Sequence, residues 1–328
     1  MTLDTSTATD ARSGDPKDGG RSVWARLATW TPYHAMMSLV TASPRRQFLI
    51  LAIFPIIWVL TQHLGPMLQM LRVSLTDAYP VAPGVEQNLT LDNYARFFAD
   101  SIFMMPFFRT LVYAAVFTFC TLIITYPVAY FLARHVSRKN QMLMLLLLLT
   151  PFWVGEIVRT YAIMILLGNT GALNLALKWL GLIEQPIPFM YTSFSMGVGV
   201  VYLTALYMLL PLYSALEKLP KSMNEAAADL GAGPWTRFRR VTLPMSIEGI
   251  SSGCTLVFLI STGFYAVAVL LGGPSTTVFA ETIAGFFHVA GDQWPTGAAF
   301  ATIMFATALL ITGVFQMIMK SLRKGDLT

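Results

Sequence analysis

Charge is what this sequence has least of. Of its 328 residues, 12% are Asp, Glu, Lys or Arg while 55% are hydrophobic, and the mean hydropathy is +0.61. A soluble domain carries about 25% charged residues, so the solvent implied is a bilayer. Cysteine is scarce as well: Cys120 and Cys254 each lie inside an apolar run, which argues against a disulfide and makes both small packing residues. The four histidines, His34, His63, His135 and His288, are scattered without the spacing of a metal site. No lysine follows a glycine, so the phosphate-cradling GxxxxGK[ST] loop is absent and this chain offers no nucleotide site of that kind. The net charge of +5 is spread beside apolar runs rather than gathered into a nucleic-acid patch. No cleavable leader is evident, because the first long apolar run begins only after Arg45 and Arg46.

What is present is a set of apolar runs. Six are long enough to span, given that a helix needs about 20 residues to cross the hydrocarbon; their cores are 48–71, 108–132, 142–168, 194–216, 249–272 and 297–319. The expectation is an all-α membrane protein of six transmembrane helices, with kinks at Pro55, Pro127, Pro151 and Pro211. Basic residues orient it. With the N-terminus inside, 17 of the 22 Lys and Arg fall in the tail, the even-numbered turns and the C-terminal end; Arg72, Arg96, Arg109, Arg159 and Lys178 are the five left over. Cytoplasmic loops carry the excess of positive charge, so both termini are expected in the cytoplasm. Residues 1–46 read as a cytoplasmic extension: a polar, aperiodic start, then Trp24, Leu27, Trp30, Tyr33 and His34 among Arg21 and Arg26, either an interfacial helix or a plain linker. A membrane domain would fill 47–321, and 322–328 a short tail. Three outer segments remain. The first, 73–106, is acidic with Asp77, Glu86, Asp92 and Asp100; its Asn88-Leu89-Thr90 is read as a chance acceptor sequence. The second, 169–193, holds an amphipathic piece at Leu173 to Leu180. The third, 273–296, holds Phe279 to Val289, apolar enough for a re-entrant or surface helix.

One inner loop is both polar and patterned. Ser222 and Glu225 have capping-box spacing and are expected to start a helix. Its body is mostly alanine, and Gly231 is placed to stop it in a left-handed conformation. Gly233 and Pro234 then match the cap and first residue of a second short helix, Trp235 to Val241, carrying Arg237, Arg239 and Arg240 and ended by Pro244. Two short, capped helices between spans make a stiff knob that a soluble partner could grip.

A second group of residues lies inside the third span. Glu156 and Arg159 are ionisable residues where ionisation is costly, so they face protein or water. Their i, i+3 spacing allows an ion pair, and a direct substrate role is the other reading. Measured along a straight helix from Gln141, Glu156 stands on the order of 20 Å up. Phe152, Trp153 and Tyr161 flank them and either line a path for an organic cation through cation-π contacts or belong to an interfacial aromatic belt.

The loop from Glu225-Ala226-Ala227 through Gly231 and Val241 to Leu243-Pro244 closely resembles the EAA loop of binding-protein-dependent ABC importer permeases, EAA-x3-G-x9-I-x-LP, with Val241 in place of Ile. Three further stretches resemble the polyamine-type permeases of that family: Leu89 to Phe98, Tyr126 to Arg134 and Pro151 to Tyr161. The resemblance implies a type I (MetI-like) ABC importer permease fold in a bacterial inner membrane, which is a transporter subunit and no enzyme. The partners it implies are a second permease subunit, sister or copy, two ATPase subunits that hold ATP and Mg, and a periplasmic or lipid-anchored solute-binding protein, all within membrane lipid. It gives Glu225, Ala226, Ala227, Gly231, Leu243 and Pro244 the coupling role, and Leu230, Pro234 and Arg237 belong to the same surface. Polyamines are the substrates implied; another small organic cation, an opine or a phosphonate-like solute is the alternative. Outside the family, a secondary transporter would need an inverted repeat, which is not seen, and a non-transporting scaffold would use the same knob.

Overall fold

The structure is a computed structural model describing residues 43–81, 87–288 and 293–325. The expectations placed on the first 42 residues, on Glu86 and Val289, and on the last three residues lie outside that range. The chain divides after Leu68 into two units.

In the first unit, α1 (Pro44–Val59) contains Pro55 and passes into a π-helical turn, Leu60–Leu64. Helix α2 (Gly65–Ser74) follows and runs across the boundary. The π turn has a local cause. Gly65 donates its N–H to Leu60 O, five residues back, and the next residue, Pro66, has no N–H to give. Widening the turn by one residue accommodates the missing donor. Thr61 Oγ1 donates to Ile57 O at 2.6 Å on the same stretch.

In the second unit the long helices are α4 (Ser101–Arg134), α8 (Ser193–Glu217) and α15 (Trp294–Gly325). Around them stand α3 (Asp92–Ala99), α5 (Arg138–Leu149), α6 (Glu156–Leu167), α7 (Ala172–Trp179), α9 (Lys221–Asp229), α10 (Pro234–Arg237), α11 (Leu243–Met245), α12 (Ile247–Thr262), α13 (Ala266–Leu271) and α14 (Phe279–His288). Among the described residues five helical segments are long and apolar enough to cross a membrane, and a sixth forms if Pro234–Met245 and Ile247–Thr262, bent by 64°, count as one span. That agrees with the six expected from the apolar runs. The expected amphipathic and apolar pieces are helices over Ala172–Trp179 and, among the described residues, Phe279–His288.

Two of the expected spans are not continuous. The run 142–168 breaks at a 3-10 turn, Thr150–Trp153, followed by extended Val154 and Gly155. Pro151 cannot donate to the ladder, the backbone leaves the helical region at Val154 (ψ 130°), and α6 starts afresh at Glu156, so the spanning segment shifts to Glu156–Trp179. The height of Glu156 reckoned along one straight helix therefore does not hold. The run 249–272 likewise breaks at Gly263, between α12 and α13.

Three apolar clusters hold the second unit. Tyr126, Ala129 and Leu132 of α4 pack with Met208, Leu212 and Leu216 of α8 and with Ile250, Cys254 and Val257 of α12. Phe117, Ile163, Leu167, Val200, Leu203, Val267 and Leu271 form a second cluster. The third is aromatic: Phe97, Phe107, Phe279 and Phe300 meet at centroid distances of 5.1 to 5.8 Å. It ties α3 and α14 to α4 and α15. Buried polar groups there are satisfied by one another: Asn93 Nδ2 donates to Ser74 O and Thr76 O, and Thr296 Oγ1 donates to Asn93 Oδ1.

Helices α8 and α12 approach closely where glycine permits. A Cβ on Gly249 would stand 2.6 Å from Ala215 Cβ and 2.7 Å from Pro211 O, and one on Gly253 would stand 2.6 Å from Met208 Sδ. Small residues four apart are a recurring means of bringing two membrane helices together.

Candidate functional site

The 222–244 loop is two short helices joined by a tight reversal. Helix α9 begins at Lys221 with Pro220 as its cap, and no side chain caps it. The expected Ser222–Glu225 capping box is thus not formed. Pro220 holds φ at −61° with extended ψ, which starts the helix two residues earlier and puts Ser222 inside the first turn. The other end follows expectation. Gly231 has φ +80° and donates to Ala228 O at 2.8 Å, while Ala232 donates to Ala227 O at 3.0 Å. These are the paired bonds of a Schellman stop, which satisfy carbonyls that the helix end would leave bare. Gly233 then caps α10 and Pro234 is its first residue.

Beyond α10 the expectation fails in an informative way. The second helix does not end at Pro244. It widens into a π turn, Phe238–Thr242, and continues through α11 to Ser246. As at Gly65–Pro66, the residue before the proline makes the wide bond: Leu243 N–H donates to Phe238 O. The sharp bend comes at Ser246, where α12 begins.

This bend is fastened to the membrane core. Tyr126 Oη of α4 lies 3.0 Å from Ser246 Oγ, and both residues are buried. Ser246 Oγ also donates to Leu243 O. Phe238 stacks on Trp235 at 5.5 Å and meets Tyr126 and Tyr130 edge-on at 5.7 and 6.3 Å. Phe238 and Leu243 pack against the cluster formed by α4, α8 and α12. Arg134, at the end of α4, donates Nη1 to Leu219 O just before α9. Gln141 Nε2 reaches Leu132 O, Ala133 O and Val136 O, closing the C-terminal carbonyls of α4. Both ends of the loop are therefore held by α4.

The outward side is bare. Leu230 is 89% exposed and Trp235 71% exposed. Glu225, Ala226, Gly231 and Pro234 are exposed, Ala227 and Arg237 half-buried, and Leu243 and Pro244 half-buried against the core side. The structure thus splits the nine expected coupling residues into a presenting group and an anchoring pair. Sequence reasoning missed Phe238, Tyr126 and Ser246 as anchors. The available signal was the i, i+3 spacing of Trp235 and Phe238, which puts two aromatics on one face of an otherwise basic segment.

The second candidate group divides differently. Arg159 stands over the Phe152 ring, 5.0 Å from its centroid, and Phe152 meets Tyr207 of α8 edge-on at 5.3 Å. No ion pair joins Glu156 to Arg159 among the described residues. Arg159 Nε is buried without a hydrogen-bond partner, and its charge rests on the ring quadrupole instead. Glu156 is exposed at the first turn of α6, Trp153 is 92% exposed and Tyr161 is exposed. Phe152 and Arg159 are brought together with Tyr207; Trp153, Glu156 and Tyr161 stand apart from them. Among the described residues no group of three or more His, Cys, Asp or Glu is arranged to hold a metal.

Comparison with known proteins agrees with this architecture. The family model "binding-protein-dependent transport system inner membrane component" matches residues 45–324. The spermidine/putrescine transport system permease protein PotB of Salmonella typhimurium (strain SL1344) is 39% identical over 230 residues, covering 69% of this chain and 79% of PotB. PotB of Escherichia coli (strain K12) is 38% identical over 230 residues, 69% and 82% of the two chains. The maltose/maltodextrin permease MalF of Klebsiella aerogenes is 27% identical over 249 residues, covering 69% of this chain and 48% of MalF. A crystal structure of a bacterial alginate ABC transporter, in complex with alginate pentasaccharide-bound periplasmic protein, superposes with a TM-score of 0.68 at 17% identity, covering 88% of this chain and 99% of that one. With a family match across most of its length, the chain belongs to the inner-membrane permease components of binding-protein-dependent ABC transport systems.

Proposed function

We propose that this chain is the permease subunit of an importer for polyamines of the spermidine and putrescine class, driven by separate ATPase subunits that bind the 222–244 loop and carry the ATP and Mg. The observation that carries the coupling role is the construction of the loop. Its outward face is bare and apolar at Leu230 and Trp235, while Phe238, Leu243 and Ser246 fix its other face to α4 and α12. A force applied at Leu230 reaches α12 through a rigid bend rather than being absorbed in a slack loop. The chain binds no cofactor of its own in this reading. Six spans with one such loop make half of a pathway, so a second permease, copy or sister, pairs with it, and a solute-binding protein delivers the substrate from the face opposite the loop. The excess of Lys and Arg in the even-numbered turns supports cytoplasmic termini.

The polyamine reading rests on the identity to relatives that carry that name. The chemistry accommodates it: Phe152 already holds one cation, and Trp153, Tyr161 and Glu156 offer aromatic faces and a carboxylate for others. The test is reconstitution of the complete complex in proteoliposomes with the binding protein outside and ATP inside. Labelled spermidine should accumulate only when both ATP and the ATPase are present, and unlabelled putrescine should compete. Accumulation without the ATPase, or an assembled complex whose ATPase leaves Leu230 and Trp235 accessible to labelling, would overturn the coupling role. ATP-driven uptake of a different solute would overturn the substrate alone.

A further inference from the structure

Between the end of α4 and the inner loop lies a cavity of about 250 Å³ lined by Tyr130, Arg134, His135, Asn224, Glu225 and Arg237. Its charge balance is unusual. Two guanidiniums and one carboxylate line it, yet neither arginine forms an ion pair with Glu225 among the described residues. Among the described residues Arg134 makes one side-chain hydrogen bond, from Nη1 to Leu219 O, and Arg237 makes none. Arg134 Nε, Asn224 Oδ1 and Arg237 Nε are all buried without a partner. Three of the residues that line this one cavity thus each bury a polar atom without a partner, and each such atom calls for an explanation. The lining includes residues of the kind that sit at a membrane boundary. Tyr130 and His135 end a 34-residue apolar helix, with His135 stacked on Phe131, and amphipathic aromatic rings favour that level.

We infer that this cavity is a binding site for a phosphate-class oxyanion, held between the Arg134 and Arg237 guanidiniums. Guanidinium forks match the paired oxygens of a phosphate in geometry as well as in charge. The volume is sufficient for one such group, and basic pockets between helices at a membrane face take phospholipid headgroups. The site shares Glu225 and Arg237 with the proposed coupling surface, and it links the second span to the loop that the proposed ATPase moves. The phosphate comes either from an anionic phospholipid or from free phosphate, and the two sources are separable by experiment.

The test uses the full chain, purified without any ATPase, so its failure leaves the importer reading untouched. In the lipid arm, native mass spectrometry follows retention of phosphatidylglycerol against phosphatidylcholine. In the free-anion arm, the thermal midpoint is followed in millimolar inorganic phosphate against sodium chloride of equal ionic strength. R237Q is the decisive variant, because Arg237 makes no side-chain hydrogen bond whose loss would threaten folding, and monodisperse elution confirms this. K178Q removes a positive charge from an exposed helix elsewhere. A preference for phosphatidylglycerol that falls about fivefold in R237Q and persists in K178Q is the expected result. A shift of the midpoint by phosphate, absent in R237Q and without lipid preference, assigns the site to the free anion. Equal behaviour of R237Q and the parent chain in both arms, or no response in either, overturns the inference.

Discussion

The hydroxyls of Tyr126 and Ser246 lie 3.0 Å apart, joining the second span to the point where the chain bends by 64° out of the 222–244 loop. The two residues are separated by 120 positions and come from α4 and the start of α12. Ser246 keeps a second bond, to Leu243 O, when the first is lost. Tyr126→Phe is therefore expected to cost only about 1 kcal/mol of stability, the net worth of one hydrogen bond. Its functional effect should be larger. In the reconstituted complex, ATP hydrolysis is expected to persist while substrate uptake per ATP falls, because the bend no longer moves as one piece with α4. An unchanged ratio of uptake to hydrolysis would remove the bend from the coupling path.

Phe238 carries more of the anchoring than any hydrogen bond, since it touches Trp235, Tyr126 and Tyr130 at once. A fully buried Phe→Ala change costs about 3–5 kcal/mol, and Phe238 is half-buried, so Phe238→Ala should cost roughly half of that. Loss of ATPase co-purification in Phe238→Ala, with recovery in Phe238→Leu or Phe238→Tyr, is the expected pattern. Leu230→Ala provides the contrast. Its side chain is 89% exposed, so stability should stay within about 0.5 kcal/mol while association with the ATPase weakens.

At Gly231 space and conformation are separable. An added Cβ would meet nothing within 4 Å, but φ is +80°. The penalty for substitution is thus purely one of backbone conformation, about 1–3 kcal/mol for a side chain forced into the left-handed region. Asn tolerates that region and a β-branched residue does not. Gly231→Asn should retain most co-purification and uptake, and Gly231→Val should lose both. If the two variants behaved alike, the left-handed stop would not be what shapes the knob.

These three predictions also show where the sequence was readable. Gly231, Gly233 and Pro234 act through their own backbone, and their roles were visible without a fold. The apolar runs of α4, α8 and α15 were visible for the same reason: each is long enough to span alone. The features that were hidden depend on distant partners or on competition between local signals. Ser222 and Glu225 have capping-box spacing, but Pro220 fixes the start first. Pro244 reads as a stop, yet the π turn at Phe238–Thr242 absorbs its missing donor and lets the helix run on. Phe238 means nothing until Tyr126 and Tyr130 arrive from a helix a hundred residues earlier. Gly249 and Gly253 drew no reading from the sequence, because only the packing shows that they face α8.

Glu156 and Arg159 supply a prediction about an interaction that does not form. Their i, i+3 spacing suggests an ion pair, whereas Arg159 lies over Phe152 and Glu156 is exposed. A double-mutant cycle of Glu156→Gln and Arg159→Gln should give a coupling within about 0.5 kcal/mol of zero, as for residues without a shared contact. The cycle of Arg159→Gln with Phe152→Leu should give a coupling of about 0.5–2 kcal/mol, the range of a cation over an aromatic face. Thermal unfolding in detergent measures both. A strong Glu156–Arg159 coupling would restore the ion pair and remove Glu156 from the candidates for substrate contact.

Gly249 tests whether α12 must stay pressed against α8 for the loop to work. A methyl there meets Ala215 Cβ at 2.6 Å and the backbone of Pro211 and Leu212 at 2.7 and 3.2 Å; the backbone atoms cannot swing aside as a side-chain tip would. Gly253 is different, because the nearest atom to its added Cβ is the flexible Met208 Sδ and thioether side chains adapt. Forcing extra methylenes into a packed contact costs typically about 1–3 kcal/mol, so Gly249→Ala should be destabilised by that amount and Gly253→Ala by less. The functional order should match. Because Gly249 follows the bend by three residues, displacing α12 there swings the loop away from Tyr126, and Gly249→Ala should lose spermidine uptake in the reconstituted complex more severely than Gly253→Ala. The reverse order would place the tight contact lower on α12 and detach it from the bend.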